Sequence, residues 1–406
     1  MDPVIAAAAR ALTTGDALGA LNFVALRDDA PALALRGIAM AQLGDLQRAK
    51  TLIRAAARAF GTRDAVAKSR CVVADAELAL ATRELASPGK SLETARQVLE
   101  DHGDRMNAAH ARYLQIRRHA LIGEFDAAEK LLKAQRPNHL PPALRAVHEL
   151  IVAGIALRRI QTRPARAALI RAGEAARESR IAALGAEVDR AAQLLAAPAA
   201  KLLSGGQSLL VTLPEVEALF GSRTLTVDAC RYEVRGNGRR ISLARRPILF
   251  TLVRVMAETW PAQVPRDTLI QRAFRLPRAY ESSRARLRVE IGRLRRALRD
   301  VADIRTTPAG FALMPTRTDK VAVLTHPIED DNAAVLALLA DGEAWSTSSL
   351  ALALGVSQRS VQRALDELSA ARKVQAFGAG RARRWLTPPL PGIATVLLLP
   401  APLPSD

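Results

Sequence analysis

Residues Ser282 to Arg299 carry an apolar stripe, Leu287, Ile291, Leu294 and Leu298, at four-three-four spacing. That spacing holds one face of a helix against a core and does not suit the two-residue period of a strand. The same stretch bears seven arginines, Arg284, Arg286, Arg288, Arg293, Arg295, Arg296 and Arg299, on its flanks and far side. Like charges at helical spacing repel one another unless an anion lies alongside. Duplex DNA matches the length and the charge; the alternative is a solvated basic face on an arginine-rich protein. With the stripe set inward, the open face holds Arg286, Val289, Gly292, Arg293 and Arg296. Arginine can fork onto guanine O6 and N7, and Val289 suits a thymine methyl group. Gly292 costs a helix interior about 1 kcal/mol but lets a groove approach closely.

The charge distribution supports a localised anion-binding module. The 406 residues carry a net charge of +19. Residues 221–325 hold 22 Lys/Arg against 9 Asp/Glu, net +13; residues 1–220 have 30 against 23, and residues 326–406 have 7 against 8. One quarter of the chain therefore carries two thirds of the excess. Cys71 and Cys230 are the only cysteines, too few for a disulfide framework. Met-Asp-Pro-Val lacks the basic and apolar regions of a signal peptide, and no charge-free run approaches the length of a membrane span. A cytoplasmic, nucleoid-associated protein is expected. Abundant Ala and Arg with few Lys fits a GC-rich bacterial genome.

Length and pattern predict a mainly α, multidomain chain. Residues 1–203 read as helices with short Gly, Asp and Pro breaks. A loose repeat runs through Gly15-Asp16-(x3)-Ala20, Gly44-Asp45-(x3)-Ala49 and Gly123-Glu124-(x3)-Ala128, with echoes around Ala95 and Ala167. The small residue lets paired helices approach, and glycine before the acid suits the turn between them. Gly37-Ile-Ala-Met-Ala-Gln-Leu-Gly44-Asp45 resembles the heart of a tetratricopeptide repeat; a generic helical bundle is the alternative. Residues 204–220 read as a linker and 390–406 as a tail, within which Ile393–Pro400 is a short apolar strand or docking segment.

Residues 221–320 read as a second domain. Thr224–Val227, Arg231–Val234 and Arg239–Leu243 are short strands, with Gly236-Asn237-Gly238 supplying a positive-φ turn. Pro247–Glu258 and Pro265–Phe274 are amphipathic helices, the arginine helix is the third, and Ile304 to Phe311 is a hairpin. A meander, three helices and a hairpin make a winged helix. The order Arg240-Ile-Ser-Leu243, Pro247-Ile-Leu-Phe-Thr-Leu252, Val264-Pro-Arg-Asp-Thr-Leu269 and Arg286-Leu-Arg-Val-Glu-Ile-Gly-Arg-Leu-Arg-Arg-Ala-Leu298 resembles the OmpR-type regulator DNA-binding domain over about 222–315. The resemblance implies that helix 282–299 enters the major groove and the hairpin reaches a neighbouring minor groove. By position, Arg286, Arg293 and Arg295 match DNA-facing residues of that family. Glu290 and Gly292 depart from its pattern, and the wing lacks the usual arginine, although Arg305 is near. No receiver domain precedes the module, so control by aspartyl phosphorylation is not expected.

Residues 328–389 read as a further winged helix. Ala351 allows close helix packing, Gly355 takes the turn and Ser357 can cap the next helix. Val361, Leu365 and Leu368 face inward, whereas Gln358, Arg359, Gln362 and Arg363 face outward. Gly378-Ala-Gly380 followed by Arg381, Arg383 and Arg384 looks like a wing. This region is similar to MarR-like winged helices, which also serve as protein-protein modules.

No phosphate loop survives inspection: Gly89-Lys90-Ser91 has Glu84 where the earlier glycine belongs. The six histidines lack metal-ligand spacing. No catalytic, cofactor or metal residue is expected. The candidate DNA-binding set is Arg284, Arg286, Arg288, Val289, Arg293, Arg295, Arg296, Arg305, Gln358, Arg359, Gln362, Arg363, Arg381 and Arg383. Double-stranded DNA, RNA polymerase, a protein or peptide on the helical repeat and a second copy of the chain are the candidate partners. The leading reading is a DNA-binding transcription regulator; the alternative is a scaffold whose winged helices bind proteins.

Overall fold

The computed structural model describes residues 2–386 apart from 14, 83–89, 122–123, 244–245, 275, 277, 279, 328–331, 340–344, 372, 378–379 and 381–382. The chain is mainly helical with a small mixed sheet, and it divides into two compact units. Residues 1–155, 164–191 and 335 onward form one; residues 156–163 and 192–334 form the other.

The chain begins with α1 (Pro3–Thr13), α2 (Ala17–Val24), α3 (Ala30–Gln42), α4 (Leu46–Phe60), α5 (Ala65–Ala81), α6 (Lys90–Asp101), α7 (Arg105–Leu121) and α8 (Phe125–Lys133). Then come α9 (Pro142–Arg158), α10 (Thr162–Ser179) and α11 (Ala182–Ala196). The repeated Gly-acid pair has a physical meaning here. Gly15 and Gly44 sit at φ +81° and +89°, ending one helix, and the next residue caps the following helix. Asp16 accepts from the Gly19 N–H at 2.8 Å and Asp45 from the Arg48 N–H at 3.0 Å. Ala20, Ala49 and Ala128, each the fourth residue of its helix, are fully buried. At the α3–α4 crossing a Cβ on Gly37 would lie 2.8 Å from Ile53, so that glycine sets the approach of the two helices. Gly123 lies outside the described residues.

Next come β1 (Pro198–Ser204), β2 (Gln207–Thr212), α12 (Leu213–Gly221), β3 (Leu225–Asp228), β4 (Glu233–Gly236), β5 (Arg239–Ser242) and α13 (Pro247–Thr259). They are followed by β6 (Val264–Pro265), α14 (Arg266–Phe274), α15 (Glu281–Leu298), β7 (Ala302–Thr306), β8 (Gly310–Pro315) and β9 (Val321–Thr325). One sheet has the order β2-β1-β9-β3-β4-β5, antiparallel except for the parallel β3–β9 pair; a second has the order β6-β8-β7. The meander closes through Asn237 and Gly238, both at positive φ. The three helices bury Leu249, Leu252, Val253, Met256, Leu269, Ile270, Leu287, Ile291, Leu294 and Leu298 in one core with Val227, Val234, Ile304 and Val323.

The expected linker at 204–220 is corrected: it contains β2 and α12. Gly205 and Gly206, at φ +57° and +77°, form the tight turn of a β1–β2 hairpin. Thr212 begins α12 with a capping box, its N–H bound to the Glu215 carboxylate at 2.7 Å. Buried Val211, Val216 and Leu324 then form a small core. The boundary at 203 is displaced for the same reason, since β1 starts at Pro198. The boundary at 320 omits β9, which lies between β1 and β3 in the sheet.

The C-terminal region has α16 (Ala333–Leu339), α17 (Thr347–Leu354), α18 (Gln358–Ala370), β10 (Gln375–Phe377) and β11 (Arg384–Leu386). Gly355 takes φ +64° and Ser357 caps α18 by accepting from the Ser360 N–H at 3.1 Å, as the sequence implies. Its core is not its own. Trp345, Leu350, Val361, Leu365, Leu368 and Trp385 share one buried cluster with Val73, Leu80, Leu92, Leu99 and Leu114 of α5–α7. The expected separate domain at 328–389 is therefore part of the first unit. The tail at 390–406 and the wing residues Gly378 and Arg381 lie outside the described residues.

Candidate nucleic-acid interface

α15 begins where the Ser283 hydroxyl accepts from the Tyr280 N–H at 2.9 Å and donates to its carbonyl at 2.7 Å. Leu287, Ile291, Leu294 and Leu298 are buried, which fixes the rotation of the helix. The opposite face is open. Val289 is 54% exposed among the arginines, and a Cβ on Gly292 would meet nothing within 4 Å.

Six of the seven arginines stay at the surface, and five of them have a neighbour. Arg284 lies 3.7 Å from Asp267 and 4.0 Å from Glu281, and Arg288 lies 3.7 Å from Glu281. The Arg286 guanidinium stands 4.5 Å from the centre of the Phe274 ring. Arg293 donates to buried Glu290 at 2.8 Å, and Arg299 lies 3.8 Å from Asp300. The exposed pairs of Arg284, Arg288 and Arg299 contribute about 0–1 kcal/mol each and leave those cations available to an anion. Arg295 differs. It donates to the Ile304 carbonyl at 2.8 Å and to the Thr306 hydroxyl at 2.7 Å, which ties α15 to β7. The resemblance implies a DNA-facing Arg295; in the structure its guanidinium braces the hairpin.

Two arginines outside the candidate set belong to this surface. Arg266 donates to the Thr307 and Pro308 carbonyls at 2.8 and 2.6 Å, clamping the β7–β8 turn to the start of α14. Directly beside it a Cβ on Gly310 would lie 1.8 Å from the Val264 carbonyl oxygen, so only glycine fits. Arg305 is exposed on the same hairpin. Arg246 precedes α13, whose first turn has Pro247 and no side-chain cap. It joins Pro247, Ile248, Leu249, Glu290, Arg293, Arg296 and Ala297 around an open cleft of about 640 Å³. Uncapped N–H groups and the positive end of the α13 dipole face anions favourably. Pro247 advertises a helix start; that Arg246 meets Arg293 and Arg296 needs the folded structure.

On α18, Gln358, Arg359 and Arg363 are exposed, with Arg363 3.9 Å from Glu367. Gln362 is half-buried: it donates to Asp366 at 2.8 Å and accepts from the Thr347 hydroxyl at 3.3 Å. Arg383 stacks on the Trp385 ring at 4.4 Å. The candidate residues thus fall into two sets, one in each unit.

Burial pushes the Cys230 thiol up to about 12, with the nearby Asp228 carboxylate adding to the effect. Cys71 is pushed equally high by burial. Both thiols are protonated at neutral pH and poor nucleophiles. Among the described residues, no group of three or more His, Cys, Asp or Glu could hold a metal ion, and no helix is long and apolar enough to cross a membrane. Comparison of the chain with protein-family models, curated proteins and solved structures returned no match.

Proposed function

We propose that this chain is a sequence-specific double-stranded DNA-binding transcription regulator without catalytic activity, working in the cytoplasm at the nucleoid. The observation that carries the reading is the open face of α15. Arg286, Val289, Gly292, Arg293 and Arg296 lie together on a helix whose rotation is fixed by four buried aliphatic residues. In this reading the elements around it serve as an OmpR-type winged helix, with α15 as the reading helix and β7–β8 as the wing; three helices, a meander and a hairpin in one core support it. In this reading the cleft between α13 and α15 takes a backbone phosphate, which positions the helix, while Arg286 and Arg293 reach base edges. The N-terminal helices act as a tetratricopeptide-like receiver of a protein or peptide, and RNA polymerase is the expected downstream partner.

A second reading attaches to α17–α18 alone. Its shared core with α5–α7 and the near-neutral charge of residues 326–406 favour a protein-facing or structural role there.

Anisotropy of the full chain with a labelled random duplex, titrated across salt, tests the first reading. Four to six neutralised phosphates give a log–log slope of roughly −4 to −5. A slope near zero overturns it. Selection from a random duplex library then shows whether one sequence is preferred.

A further inference from the structure

The six-stranded sheet ends in two unlike edges. β5 opens with exposed Arg239 and Arg240, the charged guard that keeps a sheet edge from pairing with another chain. β2, at the other end, reads Gln207-Ser-Leu-Leu-Val-Thr212, with no charge and no proline. Leu209 and Leu210 are each 59% exposed, and the two-residue period puts them on opposite faces. Among the described residues no strand pairs with this outer edge.

The β1–β2 turn fixes which backbone groups point outward. Ser204 and Gln207 flank the two-residue turn Gly205-Gly206 and are therefore a hydrogen-bonded pair. Alternation then turns Leu209 and Val211 toward β1, and the N–H and C=O groups of Ser208 and Leu210 toward the free edge.

We propose that β2 is the interface of a two-fold homodimer, pairing antiparallel with β2 of a second copy and joining the two sheets into one. A register centred on Leu209 satisfies the free groups. Ser208 and Leu210 of each copy exchange backbone hydrogen bonds with Leu210 and Ser208 of the other. Leu209 meets its own symmetry mate in the closely spaced pair, and the two Leu210 side chains meet diagonally on the opposite face.

Self-complementarity selects a second copy as the occupant: under a two-fold the same strand supplies the matching donors, acceptors and leucines. The strip carries no charge of its own, so it adds no local repulsion between chains of net +19. An acidic or basic foreign strand would find no counter-charge there. The proposal is independent of DNA binding, although a dimer would carry two α15 faces.

Sedimentation velocity of the full chain tests it. The expected species is a dimer, and Leu209→Lys or Leu210→Lys should weaken it roughly 100-fold, through lost leucine burial and facing like charges. Arg239→Ala, on the guarded edge, should leave the dimer unchanged. Both leucines are exposed in the single chain, so circular dichroism should show unaltered folding. Leu209→Cys should form an intermolecular disulfide on mild oxidation, because the closely spaced pair sets the Cα atoms about 4.5 Å apart; the unsubstituted chain controls for Cys71 and Cys230. A monomer at all concentrations overturns the proposal. So does a dimer that survives both lysine variants, or one that Leu209→Cys fails to cross-link.

Discussion

α15 and α18 follow the same local rules to different ends. Each follows a shorter helix, buries a stripe at helical spacing and turns polar side chains outward. The stripe of α15 lies in a core whose buried residues all fall within 225–323, with half-buried Leu203 packed against it. That of α18 completes a core begun by α5–α7. Around α15, residues 221–325 carry net +13; residues 326–406 carry net −1. The same local pattern therefore sits in two different settings. What distinguishes the two is which core holds the inward face and how much charge the outward face presents.

The largest expected effect tests the ownership of those cores. Trp345 is fully buried, and its backbone pairs with Trp385. Trp345→Ala should cost about 3–5 kcal/mol, and the loss should spread to α5–α7 because they share the cluster. Leu294→Ala should cost about 2–5 kcal/mol and remain within residues 192–334. Hydrogen exchange followed by peptide reads both. If α5–α7 peptides keep their protection in Trp345→Ala, the C-terminal helices have an independent core and the contrast fails.

Much of this contrast was legible in the sequence, for identifiable reasons. The α15 stripe, the Asn237-Gly238 turn and the Ser357 cap are local signals, and each falls where its pattern implies. The β1–β2 hairpin was not legible. Gly205-Gly206 looks the same in a linker and in a tight turn, and the strand that secures β1 is distant, pairing Leu203 with Val323. The shared core likewise joins residues far apart in sequence. Arg295 shows a limit of another kind. A helical wheel places its Cα, but a long side chain on the flank can reach either outward or back to β7. Gly103-Asp104-(x3)-Ala108, by contrast, was readable. It repeats the Gly-acid-alanine pattern, with Gly103 at φ +78° and Ala108 buried at the turn from α6 to α7.

A middle-sized effect tests the α15 face itself. Arg286→Ala and Arg293→Ala should each cost about 1–3 kcal/mol on a preferred duplex, and less on random DNA, if they fork onto bases. Arg299→Ala, at the helix end beside Asp300, should weaken all sequences alike. Competition binding at fixed salt separates the cases. Equal losses on both duplexes for all three variants would mean that α15 lies along the backbone and does not read the groove.

The smallest effect is expected on α18. Arg363 has Glu367 within 3.9 Å, Gln362 is engaged by Thr347 and Asp366, and Arg359 is the exposed cation that remains on that turn. A double variant, Arg359→Ala with Arg363→Ala, should lower duplex affinity by less than about threefold, under 1 kcal/mol. Each phosphate contact contributes about 0.9 to the magnitude of the log–log salt slope, so an α18 that touches no DNA leaves that slope unchanged. The same two substitutions leave the buried Val361, Leu365 and Leu368 untouched, so folding should be preserved. A slope shallower by one or two would place α18 on the duplex beside α15. The division between a charged reading helix and a structural one would then give way to two reading heads of unequal strength.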